Sequence, residues 1–191
     1  MINSSNEEVI VTDRTEVLGN VEVYHILDVK DNHTYFANNL LVHNFKYGSC
    51  FTAGTKISLY EWEDGENNYI NIEDVLVGDK IKTFNLETGI TELGEVGELK
   101  EHRVPTTLEI TFDDNTELVT TPSHPLWCPI RNKWIPAGEF VPSDFCINEN
   151  GDEVQITNIN TLEGNYVVYN LLTVTPNHNF FANGILVHNK F

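Results

Sequence analysis

One segment of this chain is written twice. Residues 8–44 align with residues 153–189 at a constant offset of 145, without a gap. The early parts share Glu8/Glu153, Val9/Val154, Thr12/Thr157, Gly19/Gly164 and Asn20/Asn165. Further on, YHILDVKDNHTYFANNLLVHN faces YNLLTVTPNHNFFANGILVHN. A solenoid would need several stacked repeats, so two distant copies define a duplicated structural element instead. Two similar hairpins in one β domain would account for the apolar alternation. They would not account for both copies ending in the same pair, His43-Asn44 and His188-Asn189.

The residues between the copies read as strands and turns. Residues 45–49 are a short connector. Apolar and polar residues then alternate from Thr55 to Tyr60, which predicts a strand. A second strand is expected through Ile81 and Thr83-Phe84, after a break at Gly78-Asp79. Residues 86–89, LETG, predict a turn. Thr107–Phe112 and Glu117–Thr120 bracket DDNT as a hairpin. Pro129, Pro136 and Pro142 suit bends and edge strands, and Asn148–Asp152, NENGD, is a strong turn. Short strands with frequent turns predict an all-β fold. The length allows one domain plus an arm, divided as 1–44, a connector 45–49, a main domain 50–189 and a tail 190–191.

Charge narrows the partners. The formal net charge is -18, which disfavours nucleic acid and anionic membranes, since phosphate binding needs Lys and Arg. No apolar run approaches the roughly 20 residues of a membrane helix. The stretch MINSSNEEVIV lacks the basic-then-apolar order of a secretory leader. The three cysteines, Cys50, Cys128 and Cys146, are odd in number and without CxxC spacing, which argues against a disulfide framework and a four-cysteine metal site. A thiol in a reducing, cytoplasmic compartment is the expectation. Cys128 and Cys146 read as small buried hydrophobes, and Trp127 and Trp134 as core aromatics.

Four features carry chemistry. Cys50 opens CFTAGT. Thr121-Pro122-Ser123-His124 is a T-x-x-H pattern. His178 lies in NHNFFANG. His188-Asn189 closes the second copy. An asparagine amide nitrogen can attack its own backbone carbonyl, closing a succinimide and breaking the next peptide bond, and a neighbouring His can assist. The blander readings are a buried apolar cysteine, a core His124, a turn His178 and a frayed Asn189. The order and spacing of all four resemble the intein family within the Hedgehog/intein (Hint) autoprocessing domains. The resemblance covers Cys50 to Asn189 as a small intein without an endonuclease, and residues 8–44 as a second C-terminal half.

That resemblance implies a compact, pseudo-symmetric β horseshoe with both ends of the segment adjacent. It also implies roles. Cys50 would attack the carbonyl of Ser49 in an N-to-S acyl shift, with His124 protonating the leaving nitrogen and Thr121 holding the peptide. Asn189 would cyclise and cut before Lys190, with His188 and His178 assisting. The secondary copy supplies His33, His43 and Asn44. The expected partners are the flanking extein segments in cis and a complementary intein N-terminal fragment for residues 1–44. No cofactor is expected. Lys190 and Phe45 stand where the family usually has Cys, Ser or Thr, and Asn170 stands where it often has Asp. Cleavage is therefore expected to dominate over splicing, in a single turnover. The alternatives are a non-catalytic Hint-fold spacer or binding domain, a Cys/His peptidase acting in trans, and a zinc site from Cys50, His124 and His188.

Overall fold

The computed structural model describes residues 3–10, 12, 34–43, 48–60 and 68–189. The chain divides into two units, Met1–Lys46 and Tyr47–Phe191. Among the described residues there is no α-helix, only strands and two single 3-10 turns, Ile72–Asp74 and Ala137–Glu139. No helix is long and apolar enough to cross a membrane. His33, Asn44 and Lys190 lie outside the described residues.

In the first unit the described residues include a hairpin, β1 Thr34–Ala37 and β2 Leu40–His43. In the second unit, β3 is Phe51–Thr52, β4 Lys56–Ser58, β5 Tyr69–Asn71 and β6 Lys80–Asn85. β7 is Ile90–Phe112, β8 Glu117–Thr120, β9 Pro125–Cys128 and β10 Lys133–Pro136. β11 is Phe145–Ile147, β12 Glu153–Thr175, β13 Asn179–Ala182 and β14 Ile185–His188. They form two six-stranded sheets, in the orders β10-β9-β14-β13-β4-β5 and β11-β12-β3-β8-β7-β6, with β12 also pairing β7. Ile57, Leu126 and Phe180 of the first sheet and Phe51, Ile81, Ile110, Leu118 and Ile156 of the second belong to one buried cluster. Each such side chain contributes about 1.5–3 kcal/mol by leaving water.

The turns fall where the sequence put them. Residues 86–89 link β6 to β7, and the DDNT hairpin closes with Asn115 at φ 66°, in the left-handed region that Asn tolerates. The predicted strand Thr55–Tyr60 is shorter, Lys56–Ser58, and Leu59 continues it by an isolated bridge to Ile81. The two 23-residue strands, β7 and β12, exceed any strand expected from the sequence. They pair with each other along most of their length, with register shifts at Ile156/Asn158, Glu163/Tyr166 and beyond Leu171. Pro105 sits opposite the shift at Glu163/Tyr166, between Val104 and Thr106. A proline has no N–H for the ladder, so a bulge is where it can be carried. Each bulge also resets the two-residue alternation, which hides the strand from a periodicity reading.

The duplication is structural as well as textual. β1–β2 and β13–β14 have the same register, Thr34↔His43 to Ala37↔Leu40 and Asn179↔His188 to Ala182↔Ile185. Both turn on two residues with positive φ, Asn38 and Asn39 at 46° and 68°, and Asn183 and Gly184 at 47° and 77°. That is the tight turn whose twist matches its strands. The repeat also begins earlier than residue 8. The side-chain oxygen of Asn3 accepts from the amides of Ser5 and Glu7 at 3.0 and 2.8 Å. That of Asn148 accepts from Asn150 and Asp152 at 3.0 and 2.9 Å. Asn3 bridges Leu40, and Asn148 bridges Ile185, again at the offset of 145. Sequence identity there is nearly gone, but the turn and its docking on the hairpin persist.

Candidate active site

The T-x-x-H spacing is explained by a turn. The His124 amide donates to the Thr121 carbonyl at 3.0 Å, so the four residues close on themselves and both functional side chains emerge from one bend. The bend is clamped from behind: Ala137 N–H donates to His124 O and Gly138 N–H to Pro122 O, both at 2.8 Å. A Cβ on Gly138 would lie 3.3 Å from both the Cβ and the carbonyl oxygen of Pro122, a tight contact that glycine avoids.

Thr121 grips the peptide ahead of Cys50. Its hydroxyl donates to Gly48 O at 3.1 Å and accepts from the Cys50 amide at 3.0 Å. Cys50 O accepts from Thr121 N and from the Thr120 hydroxyl, both at 2.9 Å. The Ser49 hydroxyl donates to Ser123 O at 3.4 Å. The chain from Gly48 to Cys50 is thus fixed on both sides of the Ser49 carbonyl. Cys50 is buried, in a small cluster with Val104, Val168 and Tyr166.

His124 lies wholly buried, its ring 4.1 Å from that of Phe51. Burial pulls its pKa down to about 3, with His188 adding to the drop, while the backbones of His188 and Ser49 favour the protonated ring. One imidazole therefore faces the backbone at both ends of the segment. It is neutral at pH 7, with one nitrogen able to donate and the other to accept. Neither closes a hydrogen bond of normal geometry.

At the far end, Asn189 is 2% exposed. Its amide N–H donates to His178 O at 3.0 Å, and its side-chain nitrogen donates to Leu172 O at 2.9 Å. His188 Nδ1 bonds the Asn189 carbonyl oxygen. A carbonyl can only accept, so the proton is on Nδ1. The ring stacks edge-on against Trp134, centroids 4.7 Å apart. Burial lowers the His188 pKa against that bond to Asn189, which raises it. His178 is exposed, at φ 55°, and it is its carbonyl rather than its ring that holds Asn189. In the first copy, His43 ends β2, while His33 and Asn44 lie outside the described residues.

Orphaned polar atoms concentrate in three side chains. Of the seven buried side-chain N and O atoms without a partner among the described residues, five belong to His124, Asn170 and Asn189. Each such atom costs about 1–3 kcal/mol in a finished core, and a native structure holds few of them.

The C-terminal hairpin is latched by asparagines. Asn179, buried, accepts from Phe84 N at 2.7 Å and donates to Phe84 O at 2.8 Å. Asn183 accepts from Lys56 N and donates to Glu117 O, both at 2.7 Å. Asn177 donates to Glu92 at 2.8 Å and holds that carboxyl below its usual range, aided by Asn85.

Sequence reasoning missed His102 and treated Trp134 only as core. Cys50 Sγ lies 3.8 Å from Nδ1 and 3.9 Å from Nε2 of His102. Nothing local to CFTAGT signals a residue 52 positions away on an unforeseen strand. Cys128 and Cys146 are buried, as expected. Burial pushes the Cys146 thiol far up, with Cys128 and Asp144 adding to it. No group of three or more metal-ligating side chains converges among the described residues.

The all-β fold is that of an autoprocessing-type domain of the Hint/intein class. The profile of the pretoxin Hint domain family matches residues 64–190, and the chain belongs to that family. The chain is similar to a bacterial intein-like domain from Clostridium thermocellum, at 24% identity and TM-score 0.67, covering 75% of this chain and 100% of that one. It is also similar to a DnaB intein from Synechocystis sp. PCC 6803, at 20% identity and TM-score 0.64, covering 75% and 99%. The gp41-1 intein aligns at 20% identity and TM-score 0.59, covering 75% and 100%. No curated protein matches the chain.

Proposed function

We propose that residues 50–189 carry out a single-turnover, cofactor-free rearrangement of their own backbone, ending mainly in cleavage. In the first step Cys50 Sγ bonds the Ser49 carbonyl carbon, the Ser49–Cys50 C–N bond breaks, and the thiol proton is balanced by one gained at the Cys50 nitrogen. The product is a thioester and a free amine. Thr121 fixes the peptide, and the N–H of His124 serves the leaving nitrogen. In the second step Asn189 Nδ2 attacks the Asn189 carbonyl carbon. A five-membered imide closes, the bond to Lys190 breaks, and the Lys190 amine leaves. The His188 Nδ1–H bond to that carbonyl is placed to stabilise the developing oxyanion. Holding nucleophile against carbonyl supplies about 7–11 kcal/mol of the barrier.

The observation that carries this reading is the clamp of Thr121 on Gly48 O and the Cys50 amide, with buried His124 closing the same bend. Lys190 offers no hydroxyl or thiol to receive a migrating chain, so the ends part rather than join. The test is a chain tagged at both ends, followed by fragment mass with and without added thiol. Fragments cut after Ser49 and after Asn189 are expected. Intact chain under all conditions would leave the spacer or binding reading.

Residues 1–44 act in this proposal as a second closing element, for a complementary Hint N-terminal half. The support is the shared hairpin register and docked turn of the two copies. With such a half supplied, a fragment ending at Asn44, lost in Asn44→Ala, is the expected product. Its absence wherever cleavage after Asn189 proceeds counts against a working first copy.

A further inference from the structure

The buried thiol poses a problem that Thr121 and His124 do not solve. Cys50 is 1% exposed and packed against Val104 and Val168. A thiolate, not a thiol, attacks a carbonyl, and apolar burial disfavours the thiolate. His124 shares its bend with Thr121, whose hydroxyl accepts from the Cys50 amide, and the reading above assigns it to the leaving nitrogen. The thiol proton needs an acceptor elsewhere.

His102 stands against the sulfur. It lies on β7 two residues before Val104, so both side chains take the same face of the strand. Across the sheet His102 pairs with Val168, and Val168 pairs with Thr52. The imidazole reaches back over the β12 strand to Cys50, with both ring nitrogens within 4 Å of Sγ. A Cβ on Gly48 would stand 3.0 Å from His102 Cε1 and 3.5 Å from Cys50 Sγ. Gly48 thus leaves open the space in which ring and sulfur meet. The near-equal distances single out neither nitrogen, and a turn of the ring about its own bond brings one of them onto the S–H.

We infer that His102 is the base that takes the Cys50 thiol proton. This rests on the acyl-shift reading above. The S–H bond breaks to a ring nitrogen of His102, the S–C bond to Ser49 forms, and the Ser49–Cys50 C–N bond opens. The Cys50 nitrogen gains a proton, and exchange with solvent returns both imidazoles to their starting state. The two histidines divide the work, His102 at the sulfur and His124 at the nitrogen.

The experiment measures thiol-induced cleavage after Ser49 in the full chain from pH 5.5 to 9.5. In the unaltered chain the rate is expected to rise through an imidazole titration. In His102→Gln it should fall about 10²-fold or more at pH 7, and its rise should move toward the ordinary thiol range near 8.5. Added imidazole should restore part of the rate in His102→Gly. Gly48→Ala keeps the ring but presses on it, and should lose rate in the same pH-dependent way. It reads the same quantity if His102→Gln does not fold. Cleavage in the unaltered chain matched by His102→Gln in rate and pH profile overturns this assignment alone. No cleavage in the unaltered chain overturns the acyl-shift reading and this assignment with it.

Discussion

Phe181 is fully buried, while its counterpart in the first copy, Phe36, is 51% exposed. The two occupy the same register position in the same hairpin. Phe181→Ala is therefore expected to cost about 3–5 kcal/mol, and Phe36→Ala less than about 0.5 kcal/mol. Urea unfolding of the two variants checks this. Equal losses would mean that the first hairpin is buried in solution.

Replacing Asn189 by Ala should stop release of a C-terminal tag while thiol-induced cleavage after Ser49 continues. Cys50→Ala should give the opposite pattern. Intact-mass measurement reads both. Loss of both cleavages in either variant would show that the two steps cannot be separated.

Lys190→Cys supplies the missing acceptor beside Asn189. The expected product is a joined chain, in which the segment ending at Ser49 is linked directly to the segment that begins with the substituted residue, at the expense of separate fragments. If only fragments accumulate, the block to ligation lies deeper than residue 190.

His124 sets a pH dependence of stability. Its pKa is about 3 in the fold and about 6.5 in the unfolded chain. Between these values the unfolded state binds more protons, so stability is undiminished above pH 6.5 and falls as the pH drops toward 3. The slope from this one group is at most about 1.4 kcal/mol per pH unit, and His188 adds in the same direction. His124→Asn should flatten the slope measured by urea unfolding at pH 7, 5 and 4.

Much of this was legible in the residues. The DDNT turn and the all-β class followed from turn and strand signals, Asn115 being a residue type that tolerates the left-handed region. The bend of Thr121–His124 and the turn at Asn183-Gly184 emerged only in the structure. The long strands β7 and β12 did not, because their bulges and Pro105 break the alternation on which strand reading depends. His102 was hidden for the same reason: its nearness to Cys50 is a product of cross-strand pairing. The turn at Asn3 escaped because one side-chain oxygen and two amides define it, and almost any neighbours will serve.

The placement of His124 between two distant backbones has a temporal consequence. The Ser49 side is set by the bend at Thr121 and the His188 side by β14, which pairs with β9 next to that bend. Until the last strand is seated, the ring faces only one of its two targets. In the proposed reaction folding would be the clock, and a newly made chain would keep its peptide bonds until its architecture is complete.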